Sequence, residues 1–153
     1  MKKNLLITGA FLATMFVMTS ANSAKEEAKK VELKCPVAGK VVTKKTAASY
    51  KGADVYVCCG KCKKAIEANP AKYAAKANHQ LAQTKQAKCV KCVFAGKKTN
   101  PKTKIDVAGA ELSFCCNGCK GKVLAEKDED KRIEMVFNDK AFKKGFEIVK
   151  KDK

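Results

Sequence analysis

Apolar positions along the chain fall into three kinds of run. The first is a nearly continuous stretch from Leu5 to Met18, preceded by Lys2 and Lys3 and followed by the small-residue segment Thr19 to Ala24. A basic start, an apolar run shorter than the roughly 20 residues of a membrane helix and a small-residue exit predict a secretory signal peptide over residues 1–24. A retained amphipathic anchor is the alternative. The first cysteine is Cys35, well past the cut, so no lipid attachment is expected there.

The second kind of run is short and β-prone. Val55 to Val57 follows a turn at Lys51 and Gly52, and Leu112 to Phe114 follows Ala108 and Gly109; both end at a cysteine pair. Each reads as the return strand of a β-hairpin. The third kind has apolar residues three or four apart, the spacing of a helix face. Segments of this kind are predicted at Lys63 to Ala68 and at Lys120 to Ala125, the latter weakened by Gly121. Asn69 and Pro70 stop the first of these, and Pro70 opens another helix through Tyr73, Ala77 and Leu81. Two C-terminal helices are expected, one carrying Ile133, Val136 and Phe137 and the other Phe142, Phe146 and Val149. Their apolar faces are read as covers for small cores.

These elements occur in the same order twice. Cys35, Cys58, Cys59 and Cys62 recur at Cys92, Cys115, Cys116 and Cys119 with a constant offset of 57, and the gapless alignment of residues 35–63 with 92–120 holds 12 identities in 29 positions. The chain is therefore read as an α+β protein of two related modules, each a β-hairpin followed by a helix. The boundaries expected are a signal peptide over 1–24, a first module with its following helix over 25–82, a polar linker over 83–88 and a second module with C-terminal helices over 89–153.

Composition sharpens this picture through its cysteines. All 9 lie beyond residue 24, and a module of this size buries too little apolar surface to dispense with metals or disulfides as staples. Thiolates are soft ligands for Zn(II) and Cu(I), and a hairpin end meeting a helix start brings sequence-distant cysteines to one point. Cys35, Cys58 and Cys62 are the candidate metal ligands of the first module, with Cys59 auxiliary. Cys92, Cys115 and Cys119 are those of the second, supported by Cys116 or by Cys89, which forms C-V-K-C with Cys92. Glu32 stands where Cys89 would align, so the first site is either three-coordinate or completed by Cys59.

In the first copy, C-P-V-A-G-K, Y-K-G-A-D-V-Y-V-C-C-G-K-C and N-P-A-K-Y over residues 35–73 resemble the TRASH-like and YHS-like modules associated with heavy-metal trafficking, resistance and sensing. The second copy, roughly 92–124, is degenerate: Val93 replaces the proline and the N-P-x-K-Y ending is missing, while Tyr-His-Ser is absent from both. The resemblance implies a treble-clef-like or zinc-ribbon-like metal module, and it does not name the metal.

Two other uses of the cysteines stay open. An exported protein lives where disulfides persist, so a disulfide-stapled interaction module without metal is the main alternative. Against it, nine is odd and a Cys58 to Cys59 bond would be strained, because consecutive Cα atoms lie about 3.8 Å apart where disulfides want roughly 4.4 to 6.8 Å. Thiol–disulfide exchange by Cys89 and Cys92 is the surviving enzyme reading, and no catalytic residue is assigned. His79, the one histidine, is read as a solvated helix residue or, less simply, an extra metal ligand.

Charge adds one more expectation. Cleavage after Ala24 removes two lysines and no acid, taking the formal charge from +18 to +16. This charge is read first as a solvated lysine-rich surface that offsets thiolate charge, with an anionic envelope surface as the alternative partner; Arg132 is the sole arginine and the lysines are scattered, so specific nucleic-acid recognition is not expected. The sequence thus predicts an exported protein, periplasmic or secreted, with no membrane span in the mature chain, that binds Zn(II) or Cu(I) without catalytic turnover.

Overall fold

Both cysteine-bearing segments begin with the same tight turn. In a computed structural model, which describes residues 32–149, Cys35 N–H donates to the Lys40 carbonyl and Gly39 N–H to the Cys35 carbonyl, both at 2.8 Å. Cys92, Lys97 and Gly96 repeat these bonds at 2.8 and 2.7 Å. Gly39 and Gly96 both have φ of +67°, a left-handed conformation in which an L side chain is strained. The signal peptide expected over 1–24 lies outside the described residues.

A hairpin follows each turn. Strand β1 (Ala47–Tyr50) pairs antiparallel with β2 (Ala53–Tyr56). Lys51 and Gly52 between them both have positive φ, as the commonest two-residue hairpin loops require. Each hairpin leads directly into a helix. Gly60–Ala68 forms α1, with Cys59 as an extended N-cap residue, and the chain then passes through a 3-10 turn at Pro70–Tyr73 into α2 (Ala74–Gln83). The second half has β3 (Ala87–Cys89), the hairpin β4 (Ile105–Val107) and β5 (Ala110–Leu112), and α3 (Asn117–Ala125). It closes with α4 (Glu129–Phe137), α5 (Asp139–Gly145) and β6 (Phe146–Ile148). The architecture is α+β, with small antiparallel strand pairs and five α-helices among the described residues. No helix among them is long and apolar enough to cross a membrane.

The sequence reading departs from this structure at the C-terminal end. Phe142, Phe146 and Val149 were expected on one helix, but α5 stops at Gly145 and Phe146 begins β6, which pairs antiparallel with β3. Gly145 explains the stop. Its carbonyl accepts from Val90 N–H at 2.8 Å and Lys91 N–H at 3.0 Å, so the chain is captured by the strand beside it. Phe146 still reaches the core, stacked on Phe142 at 4.9 Å, whereas Val149 is 49% exposed.

A continuous core runs through both halves, with Val55, Ile66, Leu81, Leu112, Phe114, Val123, Val136 and Phe137 buried within it. Helix α2 is central, touching β2, β5 and α4. Its buried face carries amides as well as apolar groups. Asn78 donates to the Phe137 carbonyl at 2.8 Å, and Gln80 binds three backbone groups. Residues 83–88, read from the sequence as a polar linker, are tied down at several points: the Gln86 side chain accepts from Asp54 N–H at 2.9 Å and donates to the Asp54 carbonyl at 2.8 Å. Ala87 is already strand. Burial of these amides is affordable because every one has a partner; no buried side-chain polar atom among the described residues lacks one.

Candidate metal centre

Three stretches of chain meet at each sulfur cluster. In the first half Cys35 opens the tight turn, Cys58 lies just beyond β2, and Cys62 sits in the first turn of α1. The convergence is enforced from α2. Gln80 Oε1 accepts from Tyr56 N–H at 2.6 Å, while its Nε2 donates to the Tyr56 carbonyl at 2.9 Å and to the Lys34 carbonyl at 3.0 Å. One buried side chain thus clamps the residue before Cys35 to the strand that delivers Cys58.

The Sγ atoms of Cys35, Cys58 and Cys62 all lie within 4.8 Å of one another, and Cys58 and Cys62 are 3.5 Å apart. In the second half Cys92, Cys115 and Cys119 form the equivalent group, with Cys115 and Cys119 at 3.8 Å. A metal–sulfur bond of about 2.3 Å sets sulfur atoms about 3.8 Å apart in a tetrahedron and about 4.0 Å apart in a trigonal plane. The 3.5 and 3.8 Å spacings, inside groups no wider than 4.8 Å, lie close to these lengths. All nine cysteines are free thiols, so each triad offers donors to a soft cation.

Burial grades the donors. Cys35 is 1% exposed and Cys62 buried, while Cys58 and Cys59 face solvent. Burial works against ionising Cys35, but the backbone N–H groups of Ala38, Cys58 and Val37 outweigh it and hold the thiol below its ordinary value. Cys92 is treated alike: burial opposes its charge, and the amides of Ala95, Cys115 and Phe94 bring it down to about 7. Cys62 moves the other way, pushed up to about 12 by burial and by the thiols of Cys58, Cys59 and Cys35 around it. Cys119 is also raised to about 12, by burial and by Cys115, Cys92 and Cys116. In each triad the turn cysteine is therefore the thiol eased toward ionisation, while its neighbours keep their protons until a bound cation displaces them.

The remaining cysteines lie at the margins. Cys59 is 3.9 Å from Cys58 and 3.6 Å from Cys62, sulfur to sulfur, and Cys116 is 3.9 Å from Cys115. Neither joins the group that Cys35 or Cys92 closes. Cys89, the other candidate for completing the second site, donates its thiol to the Lys91 carbonyl at 3.4 Å and the Ser113 carbonyl at 3.6 Å, outside the triad. Glu32, its counterpart in the alignment, is exposed.

His79 is not the solvated residue the sequence suggested. It is 8% exposed, Nε2 lies 3.0 Å from the Val107 carbonyl, and the ring stands edge-on to Phe137 with centroids 4.9 Å apart. It belongs to neither sulfur group. Burial lowers its pKa, more than the carbonyls of Val107 and Ala108 raise it.

Gln80 is the functional residue that sequence reasoning passed over. The available signal was A-A-K-A-N-H-Q-L-A-Q, a helix of small and amide side chains with a single charge, short enough on every side to be packed around. Comparison of the chain with protein-family models, with curated proteins and with solved structures gives no match.

Proposed function

We propose that this protein binds soft metal ions, zinc or cuprous, one in each of its two three-cysteine clusters, and stores or delivers them outside the cytoplasm. The observation that carries the reading is the pair of converging thiol groups, Cys35 with Cys58 and Cys62, and Cys92 with Cys115 and Cys119. Each combines a turn, a strand end and a helix start, the layout that a treble-clef-like or TRASH-like module would use. Export rests on the N-terminal apolar segment of the sequence, and a binding role rather than turnover rests on the thiols' surroundings. The single histidine, the usual base for an activated cysteine, faces the Val107 carbonyl.

Native mass spectrometry of the reduced protein, titrated with Zn(II) or Cu(I), tests this directly. Two ions per chain are expected, falling to one in Cys35→Ser and to one in Cys92→Ser, with mass losses that count the protons released. A chain that takes up no ion after gentle reduction, or that carries paired cysteines which resist it, ends the proposal in favour of a disulfide-stapled module.

A further inference from the structure

Cys35 is 1% exposed, so no acceptor molecule can touch the sulfur that closes the first triad from inside. Cys59 is its opposite: it is exposed, it sits at the N-cap of α1 with φ −160° and ψ 169°, and it faces the same two sulfurs. The distances Cys58–Cys62, Cys59–Cys62 and Cys58–Cys59 are 3.5, 3.6 and 3.9 Å. These approach the edge lengths of about 3.8 to 4.0 Å that a metal held by three sulfurs requires. The Cys58–Cys62 edge therefore borders two three-sulfur faces, an inner one completed by Cys35 and an outer one completed by Cys59. The second half has the same residue in the same place: Cys116 is exposed, sits at the N-cap of α3 with φ −156° and ψ 166°, and lies 3.9 Å from Cys115.

We propose that Cys59 and Cys116 are the exchange ligands of the two sites, through which a soft cation passes between the buried triad and a thiol-bearing acceptor. This rests on the metal-binding reading above. In the outward step a bond forms from the metal to Cys59 Sγ, and the bond to Cys35 Sγ breaks. Cys58 and Cys62 hold on throughout. Cys59 gives up its thiol proton to solvent as its sulfur binds, Cys35 leaves as the thiolate, and the oxidation state of the metal does not change. The freed Cys35 sulfur is received by the amides of Ala38, Cys58 and Val37. An acceptor thiolate then displaces Cys59 by the same exchange. Lys61, Lys63 and Lys64, all exposed beside Cys59, favour an acceptor that is anionic around its own thiol.

The test uses the full chain loaded with Cu(I), a Cys59→Ser/Cys116→Ser variant, and bathocuproine disulfonate as an anionic chromogenic acceptor followed by stopped-flow absorbance. The variant should load the same number of ions with affinity within about twofold, and release them at least about tenfold more slowly, a barrier increase of about 1.4 kcal/mol. Cys59→Ser alone should split release into one fast and one slow half. Wild-type rates in the double variant would overturn the exchange role while leaving the sites intact. Loss of an ion at saturation would overturn it too, by making Cys59 or Cys116 a resident ligand. A wild-type chain that takes up no Cu(I) removes both this inference and the reading beneath it. Circular dichroism of the variant checks folding, and both side chains lie on the surface.

Discussion

Folding takes His79 out of water and sets its ring against Phe137 and the Val107 carbonyl. Burial penalises the imidazolium and lowers the pKa. In the window between that lowered value and the unfolded value of about 6.5, the unfolded chain carries a proton that the folded chain lacks. Stability therefore falls as pH drops through this window and levels off below it. Urea midpoints measured from pH 7 downward should decline more steeply for the wild type than for His79→Gln; parallel curves would show that the ring makes no such contribution. The cysteines were legible at this scale, because ligand chemistry resides in residue type and the repeat marked which ones belong together. The two groups expected, Cys35 with Cys58 and Cys62 and Cys92 with Cys115 and Cys119, are the ones that converge; what stayed open in the sequence was whether Cys59, Cys116 or Cys89 would join them. His79 was misread because a helix pattern of small residues does not say which side is covered.

Two glycines give element-scale predictions of opposite sign. A Cβ on Gly145 would stand 2.7 Å from Val93 Cγ1 and 2.8 Å from the Lys91 carbonyl oxygen, because the end of α5 lies directly on the segment that leads to Cys92. Gly145→Ala should cost about 1 to 3 kcal/mol, the usual range for overpacking. Gly121 lies inside α3 with nothing within 4 Å of such a Cβ, so Gly121→Ala should add about 1 kcal/mol through helix propensity. Chemical denaturation of the two variants checks both signs. At this scale α1, α3 and α4 follow from local residue pattern, and α4 also from its cap, where the Asp128 side chain accepts from Lys131 N–H. Strands β3 and β6 do not, because three residues carry too little periodicity to read and each strand is defined by a partner far along the chain. The expected continuation of α5 through Phe146 failed for that reason: an apolar residue four positions on suits a helix face and a short strand equally.

Over the whole molecule, α2 binds the halves together through side chains. Gln80 holds the first cluster's two approaches, Asn78 reaches the end of α4, and Gln83 donates to the Ala108 carbonyl at 2.5 Å in the second hairpin's turn. Gln80→Leu keeps the volume but strands the Tyr56 amide and two carbonyls, at a cost of about 1 to 3 kcal/mol for each buried group left without a partner. Metal affinity should weaken at the first site and stay unchanged at the second, a difference that titration of Gln80→Leu in Cys35→Ser and Cys92→Ser backgrounds would resolve. Equal weakening of both sites would mean that Gln80 acts through general stability alone. The sequence by itself determined the repeated hairpin-and-helix order, the α+β composition and the cysteines that form each cluster, because turns and donor chemistry depend on residues close together in the chain. Only the tertiary structure decided that three thiols rather than four close each group, that Cys89 turns toward backbone carbonyls, and that a buried glutamine brings the cysteines together. Those outcomes depend on which distant groups satisfy one another once water is excluded, and no local pattern records that pairing.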